Sequence, residues 1–108
     1  MTMRLVFVIV ERGKADPLVE LARNAGASGA TVLYARGTGT PELQRLFRVQ
    51  VDAMKEVIMV LAELDKAQGI LAAISQAAQL DAPGTGIAFT VDVENVVGMD
   101  YLQAPRTL

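Results

Sequence analysis

Leu5-Val6-Phe7-Val8-Ile9-Val10 is an unbroken apolar run, closed by Glu11-Arg12-Gly13-Lys14. Side chains alternate across a β-strand, so a run without polar breaks sets apolar groups on both faces. Such a strand cannot belong to a sheet with one wet side. Val57-Ile58-Met59-Val60-Leu61-Ala62 imposes the same demand again. Two strands therefore need cover above and below.

The intervening segments show what can supply it. Asp16 followed by Pro17 predicts a helix N-cap and first helical residue, with Glu20 near the positive end of the dipole. Leu18, Leu21, Ala22 and Ala25 recur at helical spacing, and Gly26 is placed to end the helix. Ala30 to Ala35 predicts a second strand, closed by Arg36-Gly37-Thr38-Gly39-Thr40-Pro41. Thr40 and Pro41 then read as the start of a short helix carrying Leu43, Leu46 and Phe47. After the strand Val57 to Ala62, Asp65 and Gln68 have the spacing of a capping box. Ile70, Leu71, Ile74, Ala77 and Ala78 form one stripe of a further helix, stopped by Pro83 and Gly84. Ile87 to Val91 is a fourth strand, and Val96 to Met99 a short closing one.

The order β-α-β-β-α-β predicts an α+β fold. It is a ferredoxin-like sandwich, with an antiparallel sheet, two helices on one face and a short extra C-terminal strand. At 108 residues the chain is one domain, 1–108. Two helices cover one sheet face, and no third layer is available for the other. That predicts a homo-oligomer assembled through the sheet.

Composition narrows the chemistry. Cysteine and histidine are absent, which excludes disulfides, thiolate zinc sites, cysteine nucleophiles and Ser-His triads. A net charge of −2 argues against a nucleic-acid binder held by phosphate contacts. No apolar run reaches the roughly 20 residues of a membrane helix, so no membrane insertion and a cytoplasmic address are expected. An enzyme would have to use Glu56, Glu63 or Asp81 as general base, and no two carboxylates are spaced as a catalytic pair. The chain is therefore not read as an enzyme, and no catalytic residue is assigned.

Two Gly-Thr-Gly segments remain, Gly37-Thr38-Gly39 and Gly84-Thr85-Gly86. The second follows a Pro-Gly turn and runs straight into the fourth strand. Glycines leave backbone N–H groups without side-chain cover, and the threonine adds a hydroxyl, so such a loop can form a nest for an anion. It can equally be a tight turn that needs glycine for steric reasons. The residues alone leave both readings open.

In register with these loops, the chain resembles the P-II signalling family, in its divergent P-II-like branch. The segments that carry the resemblance are Val10-Glu11-Arg12-Gly13-Lys14, Gly26-Ala27-Ser28-Gly29-Ala30-Thr31-Val32, Arg36-Gly37-Thr38-Gly39, Pro83-Gly84-Thr85-Gly86-Ile87-Ala88-Phe89 and Val96-Val97-Gly98-Met99. The resemblance implies a ferredoxin-like homotrimer that binds small effectors in clefts between subunits. It further implies that occupancy tells the protein whether to dock on a transporter or a metabolic enzyme. Carried over by position, Gly84 and Gly86 match the phosphate-holding loop, with Thr85 between them. Gly37 and Gly39, flanking Thr38, match the base of the effector loop. Thr31 matches a threonine near the adenine pocket, and Arg36 is a cation beside these glycines.

The departures point to a changed ligand. Ile87 stands where the family has a phosphate-holding lysine, Thr40 and Pro41 where it has arginine and glutamine, and Gly98 and Asp100 where it has closing-strand arginines. Each lost cation removes a charge-assisted contact of about 1–3 kcal/mol. The expected ligand is an adenine nucleotide or a related small anion, with Arg12, Lys14 and Arg36 as the remaining cations. Gly86 replaced by a bulky residue is expected to abolish binding and leave the trimer intact. The segment between Gly39 and Lys55 is short for the family's effector loop and contains no tyrosine. Tyr34 is expected in core or interface packing. The alternative is a divalent-cation binder like the CutA family, with Asp92, Glu94 and Asp100 as oxygen ligands.

Overall fold

A computed structural model of the chain describes residues 2–38 and 52–98. The elements follow as β1 (Met3–Glu11), α1 (Ala15–Asn24), β2 (Thr31–Thr38), β3 (Asp52–Glu63), α2 (Leu64–Ala77) and β4 (Gly86–Val93). The strands form one sheet in the order β2-β3-β1-β4, antiparallel at every pair. Each β-α-β unit leaves a one-strand gap that the other fills, which is the predicted ferredoxin-like arrangement.

Alternation then sorts the apolar residues. Val6, Val8 and Val10 of β1 and Ile58, Val60 and Ala62 of β3 pack under the helices. Leu18 and Ala22 come down from α1, and Ala67, Ile70 and Ile74 from α2. Ile58, Ile70 and Ile74 are fully buried, each contributing about 2–3 kcal/mol through apolar burial.

The other sheet face carries Leu5, Phe7 and Ile9 with Val57, Met59 and Leu61. The register sets them in rows, Ile87-Ile9-Val57-Leu33 and Phe89-Phe7-Met59 among them. The Phe7 and Phe89 rings stack with centroids 5.1 Å apart. No described element lies over this face, and at its margins Ile87 is 55% exposed and Leu33 46%. The apolar surface that the sequence left without a partner is real.

Several local readings change. Asp16 is not the N-cap of α1. The helix begins two residues earlier than expected, at Ala15, Lys14 holds the cap position without a side-chain bond, and Pro17 sits within the first turn. A carboxylate from another strand does the capping instead. Glu56 of β3, 7% exposed, accepts hydrogen bonds at Oε1 from the N–H groups of Gly13 at 2.6 Å and Ala15 at 3.1 Å. Replacing Glu56 by alanine strands two N–H groups and should cost about 2 kcal/mol in urea unfolding. Glutamine, which keeps an acceptor, should recover part of that loss.

Asp65 likewise lies inside the first turn of α2, with Glu63 at the cap position and no capping box. The Leu64 N–H donates to the Thr2 carbonyl at 3.0 Å, so the chain's own start satisfies this helix end. Pro83 and Gly84 do not stop α2. It ends at Ala77, and Gln79 takes a left-handed φ of 53°. The Leu80 N–H then bonds the Ser75 carbonyl at 3.0 Å, and the Gln79 N–H bonds that of Gln76 at 3.2 Å. This is the same Schellman closure that Gly26 makes for α1, where the Ala27 N–H reaches the Ala22 carbonyl at 2.9 Å. Within the α2 stripe, Ile70 and Ile74 are core while Ala77 is exposed.

β3 reaches back to Asp52, and no strand forms over Val96 to Gly98. β4 is an edge strand whose outer side is unpaired among the described residues, and the described residues after it do not return to pair there. Met99, Asp100 and the short helix expected after Thr40 lie outside the described residues, as do Gly39 and Pro41.

Candidate functional site

The loop from Asp81 to Thr85 links the end of α2 to β4, and its shape follows from its own residues. The Ala82 N–H donates to the Gln79 carbonyl at 2.9 Å. Thr85 Oγ1 turns inward and donates to the carbonyls of Gln79 at 2.8 Å and Ala82 at 2.9 Å. Its proton therefore holds the loop together and is not directed at a ligand. Gly84 has φ 78°, a left-handed conformation in which glycine escapes the Cβ clash.

Gly86 is constrained more severely. It opens β4 opposite Val10, with φ 145°. A Cβ there would lie 2.5 Å from the Ile9 carbonyl oxygen and 3.1 Å from Val10 Cγ1. A bulky residue at Gly86, expected to act on the ligand alone, would first collide with β1 of its own chain. The glycine is required where β4 meets β1, before any ligand is considered.

The other glycine motif belongs to β2, where Gly37 and Thr38 pair with Ala53 and Asp52. Gly37 is a ladder residue and not a loop residue. The register runs Gly86 to Val10, Val10 to Glu56 and Glu56 to Tyr34. Three strand spacings of about 4.8 Å put the two edges roughly 14 Å apart at this row. Gly37 lies three residues further along β2. The two glycine motifs thus share one end of the sheet and occupy opposite edges of it. Within one chain they do not meet.

The remaining candidates divide between those edges. Arg36 is exposed on β2, two residues beyond Tyr34 and so on the same face. The Arg12 guanidinium lies 5.5 Å from the Tyr34 ring centroid, which brings a second cation to that edge. Tyr34 itself is 70% exposed and lies outside the core of this chain. Lys14 goes the other way and shares a cavity with Gly84 and Thr85. Thr31 is exposed at the far end of β2, six residues from Gly37 or about 20 Å along a strand. Ile87, where a lysine was expected, is half exposed beside the loop.

Sequence reasoning did not foresee the role of Glu56. Its signal was parity, since it precedes Ile58 and Val60 at alternate positions and so faces the helices. As a general base it is poorly placed, being buried and engaged by two backbone N–H groups. The CutA-like alternative finds no support. Asp92 pairs with Arg4 at 3.2 Å, and among the described residues no three potential metal ligands converge.

Comparison with known proteins places this geometry. The family model "Nitrogen regulatory protein P-II" matches residues 3–100. A nitrogen regulatory protein P-II of Mesorhizobium japonicum is 34% identical over 100 residues, covering 88% of this chain and 89% of that protein. The fold is similar to that of CPII from Thiomonas intermedia K12, solved bound to ADP and bicarbonate, with a TM-score of 0.64 and 18% identity over 86% of this chain and 87% of that one. It is also similar to the GlnK–ATP complex of B. subtilis, with a TM-score of 0.69 and 15% identity over 93% and 91% of the two chains. Family model, relative and fold agree across nearly the whole chain, and the protein belongs to the nitrogen regulatory protein P-II family.

Proposed function

We propose that the chain acts as a homotrimeric regulator, not an enzyme. It senses an adenine nucleotide or a smaller anion in clefts between subunits and signals occupancy to a transporter or metabolic enzyme. One observation carries this reading. The Gly37 and Gly84–Gly86 motifs stand at the same end of the sheet on opposite edges, so a cleft containing both must be built from two copies. The uncovered apolar sheet face supplies the reason for copies to associate.

On the Gly84 side Lys14 is the one cation that shares a cavity with the loop among the described residues. The loop offers backbone, Thr85 spends its proton internally, and Ile87 adds no charge. Arg36 and Arg12 stand ready at the facing edge. Fewer cations suit fewer phosphates. The ADP and bicarbonate bound by CPII are ligands of that order of charge.

Calorimetry with AMP, ADP, ATP and bicarbonate tests the reading. Binding of at least one, without a marked preference for ATP, is the expected result. No heat from any of them at millimolar concentration would overturn it. Ile87→Lys should restore a phosphate contact and tighten ATP binding about tenfold or more. The same change should leave bicarbonate binding within about twofold.

A further inference from the structure

Tyr34 is the most exposed aromatic side chain among the described residues. It stands on the edge strand β2, opposite Glu56, which in turn lies opposite the core residue Val10. Alternation therefore puts the Tyr34 ring on the helix side of the sheet. The Arg12 guanidinium, 5.5 Å from the ring centroid, is within cation–π reach and backs one face of the ring. With the side chain 70% exposed, the other face is open to solvent. Arg36 follows on the same side of β2, two residues or about 7 Å along the strand. Among the described residues Arg36 has no carboxylate partner. Glu56, the carboxylate across from Tyr34, is buried and turned to the Gly13 and Ala15 N–H groups, so it does not face this edge as a free anion.

We infer that Tyr34 is the stacking platform for the base of a nucleotide in the cleft, with Arg36 holding its phosphates. The assignment rests on the reading of the cleft given above, in which the β2 edge is one wall. Tyr34 stands in the row that starts at Gly86 and so belongs to the same end of the sheet as both glycine motifs. Arg12 fixes the ring from behind, so little side-chain freedom is lost when a base stacks on its open face. A ring and a cation one ribose apart suit a nucleotide. Bicarbonate has no π-face and gains nothing from Tyr34, so this edge selects the nucleotide from among the candidate ligands.

Calorimetry with ADP and with pyrophosphate, which keeps the charge and lacks the base, measures what stacking contributes. ADP should bind the wild-type chain about tenfold or more tightly than pyrophosphate. Tyr34→Leu should weaken ADP about tenfold and leave pyrophosphate and bicarbonate within about twofold, whereas Tyr34→Phe, which keeps the ring, should hold ADP within about twofold. A merely structural role for Tyr34 would move all three ligands together. The chain has two tyrosines and no tryptophan, so in Tyr101→Phe the tyrosine emission belongs to Tyr34 alone, and ADP should quench it. Undiminished ADP binding by Tyr34→Leu would overturn the inference and leave the cleft standing, as would a wild-type chain that binds bicarbonate and not ADP. Silence toward every ligand would overturn the cleft itself.

Discussion

Gly86→Ala should destabilise the chain by about 3 kcal/mol or more, the largest loss expected from any single methyl group added to this protein. The added carbon would stand 2.5 Å from the carbonyl oxygen of Ile9, well inside van der Waals contact. That oxygen cannot yield, because β1 is hydrogen-bonded to β3 on one side and β4 on the other. A φ of 145° compounds the strain, since side chains are rarely tolerated there. Gly37→Ala is the matched control. Its new Cβ meets only flexible Lys55 side-chain carbons at 3.4 and 3.6 Å, so its cost should stay under about 1 kcal/mol. Urea midpoints for the two variants decide the matter. Equal, mild losses would mean that β4 can shift away from β1.

Phe7→Glu should convert the assembly into monomers. Phe7 is at the middle of β1 on the uncovered face, stacked on Phe89 and paired in register with Met59. Burying such a ring between copies is worth about 2–3 kcal/mol per subunit. A carboxylate in its place must either be desolvated or hold the surfaces apart. Light scattering should show the monomer mass, while far-ultraviolet dichroism keeps its helical signal because the core on the helix side is untouched. Ala72→Glu, at an exposed position of α2, should leave the mass unchanged. A trimer that survives Phe7→Glu would show that this face is not the interface.

The parts of the fold legible in the sequence were those set by apolar period. Val6, Val8 and Val10 could be assigned to a buried strand because their neighbours are apolar too, and Ile70 and Ile74 because they repeat one helical turn apart. Gly26 announced its helix end, since glycine is the residue that takes left-handed φ most cheaply. Gln79 makes the same closure and gave no sign of it, because only the Leu80 contact further along justifies the conformation. Helix starts were misplaced for a related reason. Local signals such as Asp16 and Asp65 compete with caps that arrive from distant residues, here Glu56 and the Thr2 carbonyl. β3 was drawn too short because its first residues pair only with β2 and need no apolar run.

The candidate site was legible as motifs but not as geometry. Gly84 and Gly37 could be picked out by composition, yet their placement on opposite edges is a property of strand order. Thr85 was read as a donor to a ligand, whereas the turn itself takes its proton. Gly86 was read as a binding residue, whereas β1 demands it.

That one ligand cleft requires two copies of the chain is tested most directly by mixing two defective variants. Gly37→Glu spoils the β2 edge and Gly84→Glu the loop edge, each by setting a carboxylate where an anionic ligand would lie. Each alone should bind no nucleotide. Unfolded together and refolded as mixed trimers, they should recover about a quarter of the wild-type sites, because each of the two edges in a cleft is intact half the time. No recovery on mixing, with mixed trimers confirmed by native mass spectrometry, would contradict a cleft shared between copies.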